Sequence, residues 1–170
     1  VEAIAEGKNL SAMLVDGELD ALMTAQVPGP YVKRVPQVRR LFASPREAER
    51  DHFKRTGIFP IMHVMVLREG IYKRHPWVAQ SLYKALLEAK THCIETLYKN
   101  DSLHAALPWA AHHVEETRQL MGRDYWPYGA EANRKTLEVF LRYSREQGLS
   151  NRNMDVDELF ARETLHVFHV

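Results

Sequence analysis

Residues 58–67 read IFPIMHVMVL, and this run decides the fold class that we predict for the chain. The run is apolar apart from His63 and follows directly on Gly57. A short apolar run beside a turn residue is typical of a β-strand. Pro60 lacks a backbone N–H, so the start of this strand should lie at a sheet edge or at a crossover between sheets.

A second strand is predicted at residues 19–24, LDALMT, ahead of the turn-forming QVPGP at residues 26–30. Two short strands cannot form a stable sheet with exposed edges. We therefore expect the remaining strands of the sheet to be encoded upstream of Val1.

The remaining segments predict helices. Asn9 or Ser11 can cap a short helix that runs through Leu14. The SPRE sequence at residues 44–47 predicts a capping box with proline at the first helical position, and this helix should end near residue 55. A further capping box at residues 155–158, DVDE, predicts a short final helix.

Three longer helices are predicted at residues 76–99, 109–121 and 131–147. The apolar positions of the first are Val78, Leu82, Ala85, Leu86, Ala89, Cys93 and Leu97. Because these positions recur at helical spacing, we expect one buried face, with Cys93 as a small core residue. The inward positions predicted for the third helix are Leu137, Phe140, Leu141 and Ser144.

Composition restricts the class of function. The 170 residues include 23 Lys and Arg against 22 Asp and Glu, so no basic surplus supports nucleic-acid binding. A single cysteine excludes an internal disulfide and a thiolate zinc site. No apolar run approaches the roughly 20 residues of a membrane-spanning helix. The adjacent His112 and His113 point apart on a helix, so the pair favours a structural role over metal binding.

Three segments resemble one enzyme family. They are DGELDA at residues 16–21, RTGIFPIMH at residues 55–63 and DYWPYG at residues 124–129. The first is common among solute-binding proteins, whereas the other two are far more specific. Together they resemble 4,5-dihydroxyphthalate decarboxylase, a bacterial phthalate-degradation enzyme with the two-lobed periplasmic-binding-protein fold. The resemblance extends from about Asn9 to Asp155 and matches only the C-terminal half of such a protein.

The resemblance implies a helix-rich α/β fold that forms the C-terminal half of this two-lobed architecture. Residues 1–57 would complete the second lobe. Residues 58–170 would supply the crossover strand and the helices of the first lobe. Because ligands of open α/β sheets lie at the carboxyl ends of strands, Thr24 and Gln26 should face the cleft between the lobes. A chain that supplies only half of the cleft should be inactive by itself.

The implied reaction is a decarboxylation without redox chemistry, which needs an acid to protonate the ring carbon. His63 is the candidate acid, because its ordinary pKa of about 6.5 suits proton transfer; the alternative is a buried strand histidine with a backbone partner. Arg34 and Arg55 are candidate clamps for the substrate carboxylates. Tyr128 can stack on the ring or hydrogen-bond to it, or simply pack on a helix end. The substrate's own hydroxyl is the electron donor, so no metal or cofactor is expected.

Two other functions stay open. The chain could belong to a solute-binding protein of a transporter for a small anionic ligand, or to a helical interaction domain without a ligand. An enzyme should be cytoplasmic, and a transport receptor periplasmic. The expected partner is a small aromatic dicarboxylate, without nucleic acid or membrane, and an oligomer of identical chains is left open.

Overall fold

The computed structural model describes residues 3–99 and 104–166. In this part of the chain it contains seven α-helices, two 3-10 helices and no β-strand. The α-helices are α1 (Leu10–Val15), α2 (Gly29–Val32), α3 (Pro45–Thr56), α4 (Glu69–Arg74), α5 (Trp77–Tyr98), α6 (Ala110–Met121) and α7 (Arg134–Glu146). The 3-10 helices are Val156–Leu159 and Arg162–Thr164. The helix-rich character is confirmed, and the two-lobed α/β arrangement stays a prediction.

The chain divides into an N-terminal unit, residues 1–49, and a C-terminal unit, residues 50–170. In the N-terminal unit, the side chain of Asn9 accepts a hydrogen bond from the Ala12 N–H at 2.9 Å, so the predicted cap of α1 is confirmed. The strand predicted at residues 19–24 is not formed. That segment has no neighbouring strand in the described residues, and without a hydrogen-bonded partner an apolar run remains irregular. The predicted lobe boundary after residue 57 concerns a larger fold and stays a prediction.

In the C-terminal unit, α5 packs against α4, α6 and the 3-10 helix Arg162–Thr164. The predicted helix is confirmed, but its buried face is rotated. Ala79 is the buried residue of α5, and Leu82, Leu86 and Leu97 are half-buried as expected. The predicted inward positions Ala85, Ala89 and Cys93 are exposed. Their small side chains fit either side of a helix, so the neighbouring helices and not the apolar periodicity decide which face is covered.

The core of the C-terminal unit is small and lies around α7. Ala130, Leu137 and Val156 are buried together, and they are flanked by the partly buried Leu141, Phe160 and Leu165. Val156 opens the 3-10 helix Val156–Leu159, whose predicted capping box is present. Phe140 was expected to face inward, but its side chain is 61% exposed.

Residues 58–67 form no regular secondary structure, so the predicted strand is not formed in the described part of the chain. No backbone hydrogen bond joins residues 59–67 to other described residues. Most of the apolar side chains of the run are exposed, from Phe59 at 37% to Val66 at 79%. A strand needs a ladder partner, and none of the described residues offers one to this segment.

Among residues 3–99 and 104–166, no helix has both the length and the apolar character that a membrane crossing requires.

Candidate functional site

Two of the segments that carry the resemblance meet in the C-terminal unit. The rings of Phe59 and Trp126 lie 5.7 Å apart between centroids, at an interplanar angle of 57°. The Lys135 ammonium, from the first turn of α7, donates a hydrogen bond to the Thr56 carbonyl. We call Thr56, Phe59, Trp126 and Lys135 the aromatic corner. Phe59 and Trp126 are 67 positions apart in sequence, and Thr56 and Lys135 are 79 apart, so no local pattern predicts these contacts.

The end of α3 sets the direction of the chain into this corner. Gly57 has a positive φ of 66°, a conformation that favours glycine, and its N–H donates to the Phe53 carbonyl at 2.6 Å. The Thr56 hydroxyl donates to the His52 carbonyl at 2.7 Å and accepts from the Ile58 N–H at 3.1 Å. Lys135 then satisfies the Thr56 carbonyl, one of the four that a helix end leaves without a helical partner.

The aromatic loop, residues 124–129, is fixed to α5 by a nearly buried lysine. The Lys90 ammonium donates to both carboxylate oxygens of Asp124 at 2.8 Å, and its side chain is only 9% exposed. The same ammonium lies 5.3 Å from the centroid of the Tyr128 ring, within cation–π range. Lys90 is therefore neutralised by Asp124 and positions the loop.

Tyr83 and Asn133 hold the end of the loop. The Tyr83 hydroxyl donates to the Tyr128 carbonyl at 3.5 Å, and burial, followed by the nearby Asp124 carboxylate, raises the pKa of Tyr83. The Asn133 amide donates to the carbonyls of Pro127 and Gly129 at 2.9 Å each. The loop is thus preorganised from both sides, and Trp126, 44% exposed, is presented at its surface.

Three of the predicted site residues lie in the C-terminal unit. His63 is exposed in the irregular segment at residues 58–67, and Arg55 is exposed in the last turn of α3. Within the described residues neither side chain has a hydrogen-bond or ion-pair partner. Tyr128 is half-buried under Lys90 in the aromatic loop. Arg55, His63 and Tyr128 thus all belong to the two segments that meet at the corner, and His63 follows Phe59 by four residues.

The other three lie in the N-terminal unit. The Thr24 hydroxyl accepts a hydrogen bond from the Gln26 N–H at 3.3 Å, which forms a local turn between two exposed residues. Arg34 is exposed and has a positive φ of 56°, a conformation that is uncommon for a non-glycine residue. None of these placements tests a role in substrate binding, so those roles stay predictions.

Lys135, Phe59 and Trp126 are not predicted as site residues by the sequence pattern. A signal for Lys135 does exist. Cations are favoured in the last turn of a helix and disfavoured in the first, because the N-terminus of a helix is the positive end of its dipole. Lys135 is the second residue of α7, so its position points to a partner outside that helix.

The histidine pair His112 and His113 lies on the exposed side of α6. Their nearest ring nitrogens are 3.5 Å and 4.0 Å from the Glu116 carboxylate, and an Arg50 nitrogen lies 4.0 Å from it. In the described part of the chain, no three His, Cys, Asp or Glu side chains come close enough to hold a metal ion.

Comparison with known proteins finds a match that covers almost the whole chain. No family model matches the chain. Over 165 residues, 97% of its length, the chain is 32% identical to 4,5-dihydroxyphthalate decarboxylase of Comamonas testosteroni. The match covers 50% of that protein, so the chain spans about half the length of the curated relative it matches. The resemblance predicted from the three motifs is thereby confirmed.

Proposed function

We propose that this chain forms part of an enzyme that removes CO2, without redox chemistry, from a dihydroxylated aromatic dicarboxylate. The model reaction is 4,5-dihydroxyphthalate to protocatechuate, a step of phthalate degradation in the cytoplasm. The observation that carries the proposal is the aromatic corner. There the two most specific motifs shared with the decarboxylase family come into contact through Phe59 and Trp126.

The chemistry requires a proton at the ring carbon that bears the departing carboxylate. In our proposal His63 in its imidazolium form donates this proton. The para hydroxyl of the substrate stabilises the resulting ring cation. The C–C bond to the carboxylate then breaks, CO2 leaves, and the electron pair of that bond restores the aromatic ring. A proton from the solvent then returns His63 to its imidazolium form for the next cycle.

Carboxylate recognition in this proposal falls to arginine. Arg55 stands beside Thr56 at the corner and has no carboxylate partner among the described residues, so its guanidinium is free for a bidentate contact. Arg34 would bind the second carboxylate. Thr24, Gln26 and Tyr128 would hydrogen-bond to the ring substituents or pack on the ring.

The architecture proposed for this enzyme is the two-lobed α/β fold, divided near residue 57. Residues 58–67 support it, because they lack backbone hydrogen-bond partners among the described residues and most of their apolar side chains are exposed, at neighbouring positions. Successive side chains of a strand point to opposite faces, so this pattern fits a strand that is covered on both faces.

The proposal is tested with the longest polypeptide that contains this sequence, assayed for CO2 release from 4,5-dihydroxyphthalate beside residues 1–170 alone. His63→Asn keeps the size of the side chain but removes the acid. Since general acid catalysis contributes about 10²–10⁴-fold, we expect kcat to fall by about that factor with KM little changed. His92→Asn, on the exposed side of α5, is the matched control and should retain full activity.

Residual activity within about threefold of the parent in a folded His63→Asn protein would exclude His63 as the acid. Saturable binding of the aromatic acid without any CO2 release by the parent would instead support the solute-binding alternative.

A further inference from the structure

Lys135 carries a positive charge that is fixed in place but not neutralised. Its ammonium donates to the Thr56 carbonyl, and the side chain is exposed. In residues 3–99 and 104–166 no carboxylate pairs with it. Lys54, Lys73 and Lys90 of the same unit each lie within 4.0 Å of an Asp or Glu oxygen.

The hydrogen-bonding capacity of this ammonium is not exhausted. A lysine has three N–H donors, and the recorded contact uses one of them. The contact with a neutral carbonyl holds the side chain in one position at the end of α3, so little further entropy would be lost if a ligand bound to the remaining donors.

The fixed charge lies beside Gly57, close in the chain to exposed aromatic residues. The Lys135 ammonium lies 3.8 Å from the point where a Cβ on Gly57 would stand, two residues before Phe59. Phe59 is 37% exposed and Trp126 is 44% exposed. A cation held beside Gly57, two residues before a pair of exposed and contacting rings, matches a planar aromatic anion, which offers one surface for stacking and one carboxylate for charge-assisted hydrogen bonds.

We propose that Lys135, Phe59 and Trp126 form a subsite for an aromatic carboxylate. The ring of the ligand packs on Phe59 and Trp126, and its carboxylate accepts hydrogen bonds from the free N–H groups of Lys135. The inference deepens the proposed function, on which it rests, because it assigns the carboxylate specificity of that same site to a lysine outside the three motifs.

Capping of α3 alone would also explain the position of Lys135, and one substitution separates the two roles. Lys135→Gln keeps an N–H donor for the Thr56 carbonyl but removes the charge. Lys135→Arg keeps the charge. Lys84→Met removes an unpaired, exposed lysine of α5 and is the control.

The experiment titrates the ¹⁵N-labelled chain with phthalate and follows the indole N–H signal of Trp126, identified with Trp126→Phe. In the parent we expect a saturable shift of the Trp126 signal. Since one charge-assisted hydrogen bond is worth roughly a tenfold change in affinity, Lys135→Gln should weaken the binding by about tenfold or more. The affinity of Lys135→Arg for phthalate should stay within about threefold of the parent's, and the affinity of Lys84→Met should equal the parent's.

Cyclohexane-1,2-dicarboxylate, which has the charges but no aromatic ring, should bind more weakly than phthalate and leave the Trp126 signal nearly unshifted. The inference is overturned if phthalate does not shift the Trp126 signal. It is equally overturned if Lys135→Gln binds like the parent, since Lys135 would then only cap α3.

The two proposals fail in different ways. Phthalate lacks the hydroxyl groups that the reaction needs, so its binding is measured without turnover. Binding that depends on Lys135 in a protein without decarboxylase activity would refute the proposed reaction and keep the subsite. Decarboxylase activity that is unchanged in Lys135→Gln would refute the subsite and keep the reaction.

Discussion

Gly129 ends the aromatic loop with a backbone that only glycine adopts easily. Its φ is 98°, and a Cβ at this position would lie 2.8 Å from the Tyr83 hydroxyl oxygen. The next nearest atom, Tyr83 Cζ, would be 3.6 Å away, which is an ordinary contact. Two separate costs therefore oppose a side chain at this position, backbone strain and a steric clash with one hydroxyl group.

We expect Gly129→Ala to lower the free energy of unfolding by about 1–3 kcal/mol. In a Tyr83→Phe background the clash is removed but the strain remains, so Gly129→Ala should cost less there without becoming neutral. A double-mutant cycle in urea measures the difference. An equal cost in both backgrounds would show that the hydroxyl does not limit the site.

The stability of the capping box depends on pH through the carboxylate of Glu158. Its carboxylate accepts from the Asp155 N–H at 2.9 Å and from an Arg152 nitrogen at 2.7 Å. The Asp155 hydrogen bond, followed by Arg152, lowers the pKa of Glu158 below its ordinary value. A lowered folded-state pKa stabilises the fold at pH above the unfolded-state value of about 4.3, and this contribution is lost as the pH falls through the folded-state value.

Unfolding in urea at steps from about pH 5 to about pH 2.5 should therefore show falling stability in the parent protein. Glu158→Gln can still accept the Asp155 hydrogen bond but does not titrate, so its stability should fall less over the same range. Identical pH profiles for the two proteins would contradict this assignment.

Hydrogen bonds between residues close in sequence could be predicted, and contacts between residues far apart could not. The caps at Asn9 and Asp155 are confirmed because a cap is made by residues within a few positions of each other. The contact between Lys135 and Thr56 spans 79 positions, and no single-sequence pattern specifies such a pair.

Among the elements, α7 shows most clearly which face of a helix is covered. Leu137 is buried at 6% exposure against Val156, whereas Phe140 on the same helix is 61% exposed. Both were expected to face inward, since periodicity treats every apolar residue alike. The difference arises because α7 packs against the 3-10 helix Val156–Leu159, which covers only one side of it.

Leu137→Ala should lower the free energy of unfolding by about 2–5 kcal/mol, because it opens a cavity in a small core. Phe140→Ala is the matched control and should cost less than about 1 kcal/mol despite its larger loss of volume. Chemical denaturation followed by circular dichroism measures both values. A larger effect for Phe140 than for Leu137 would place the covered face of α7 elsewhere.

Periodicity also failed to identify every exposed residue of α5. The length of this helix and its half-buried leucines could be predicted, because a 22-residue amphipathic pattern is long enough to be distinctive. The exposure of Cys93 could not be predicted, because a small residue next to an apolar stripe fits on either side of the helix.

For the whole molecule, the feature with the largest consequence is the exposed apolar run at residues 58–67. Its residues 59–67 make no backbone hydrogen bond to other described residues. The sequence identified this apolar run but predicted a strand there, and strand formation depends on a pairing partner that the described residues do not provide.

A segment of this kind should promote association of the isolated chain, because extended apolar segments with free backbone groups pair with other chains. We expect concentration-dependent association in sedimentation velocity. Val66→Lys places a charge on a side chain that is 79% exposed and should shift the distribution toward the monomer. Val32→Lys, at a side chain that is 66% exposed in α2, is the matched control and should not. A parent chain that stays monomeric up to about 100 μM, the concentration range in which exposed strand edges drive aggregation, would show that residues 58–67 are covered in solution.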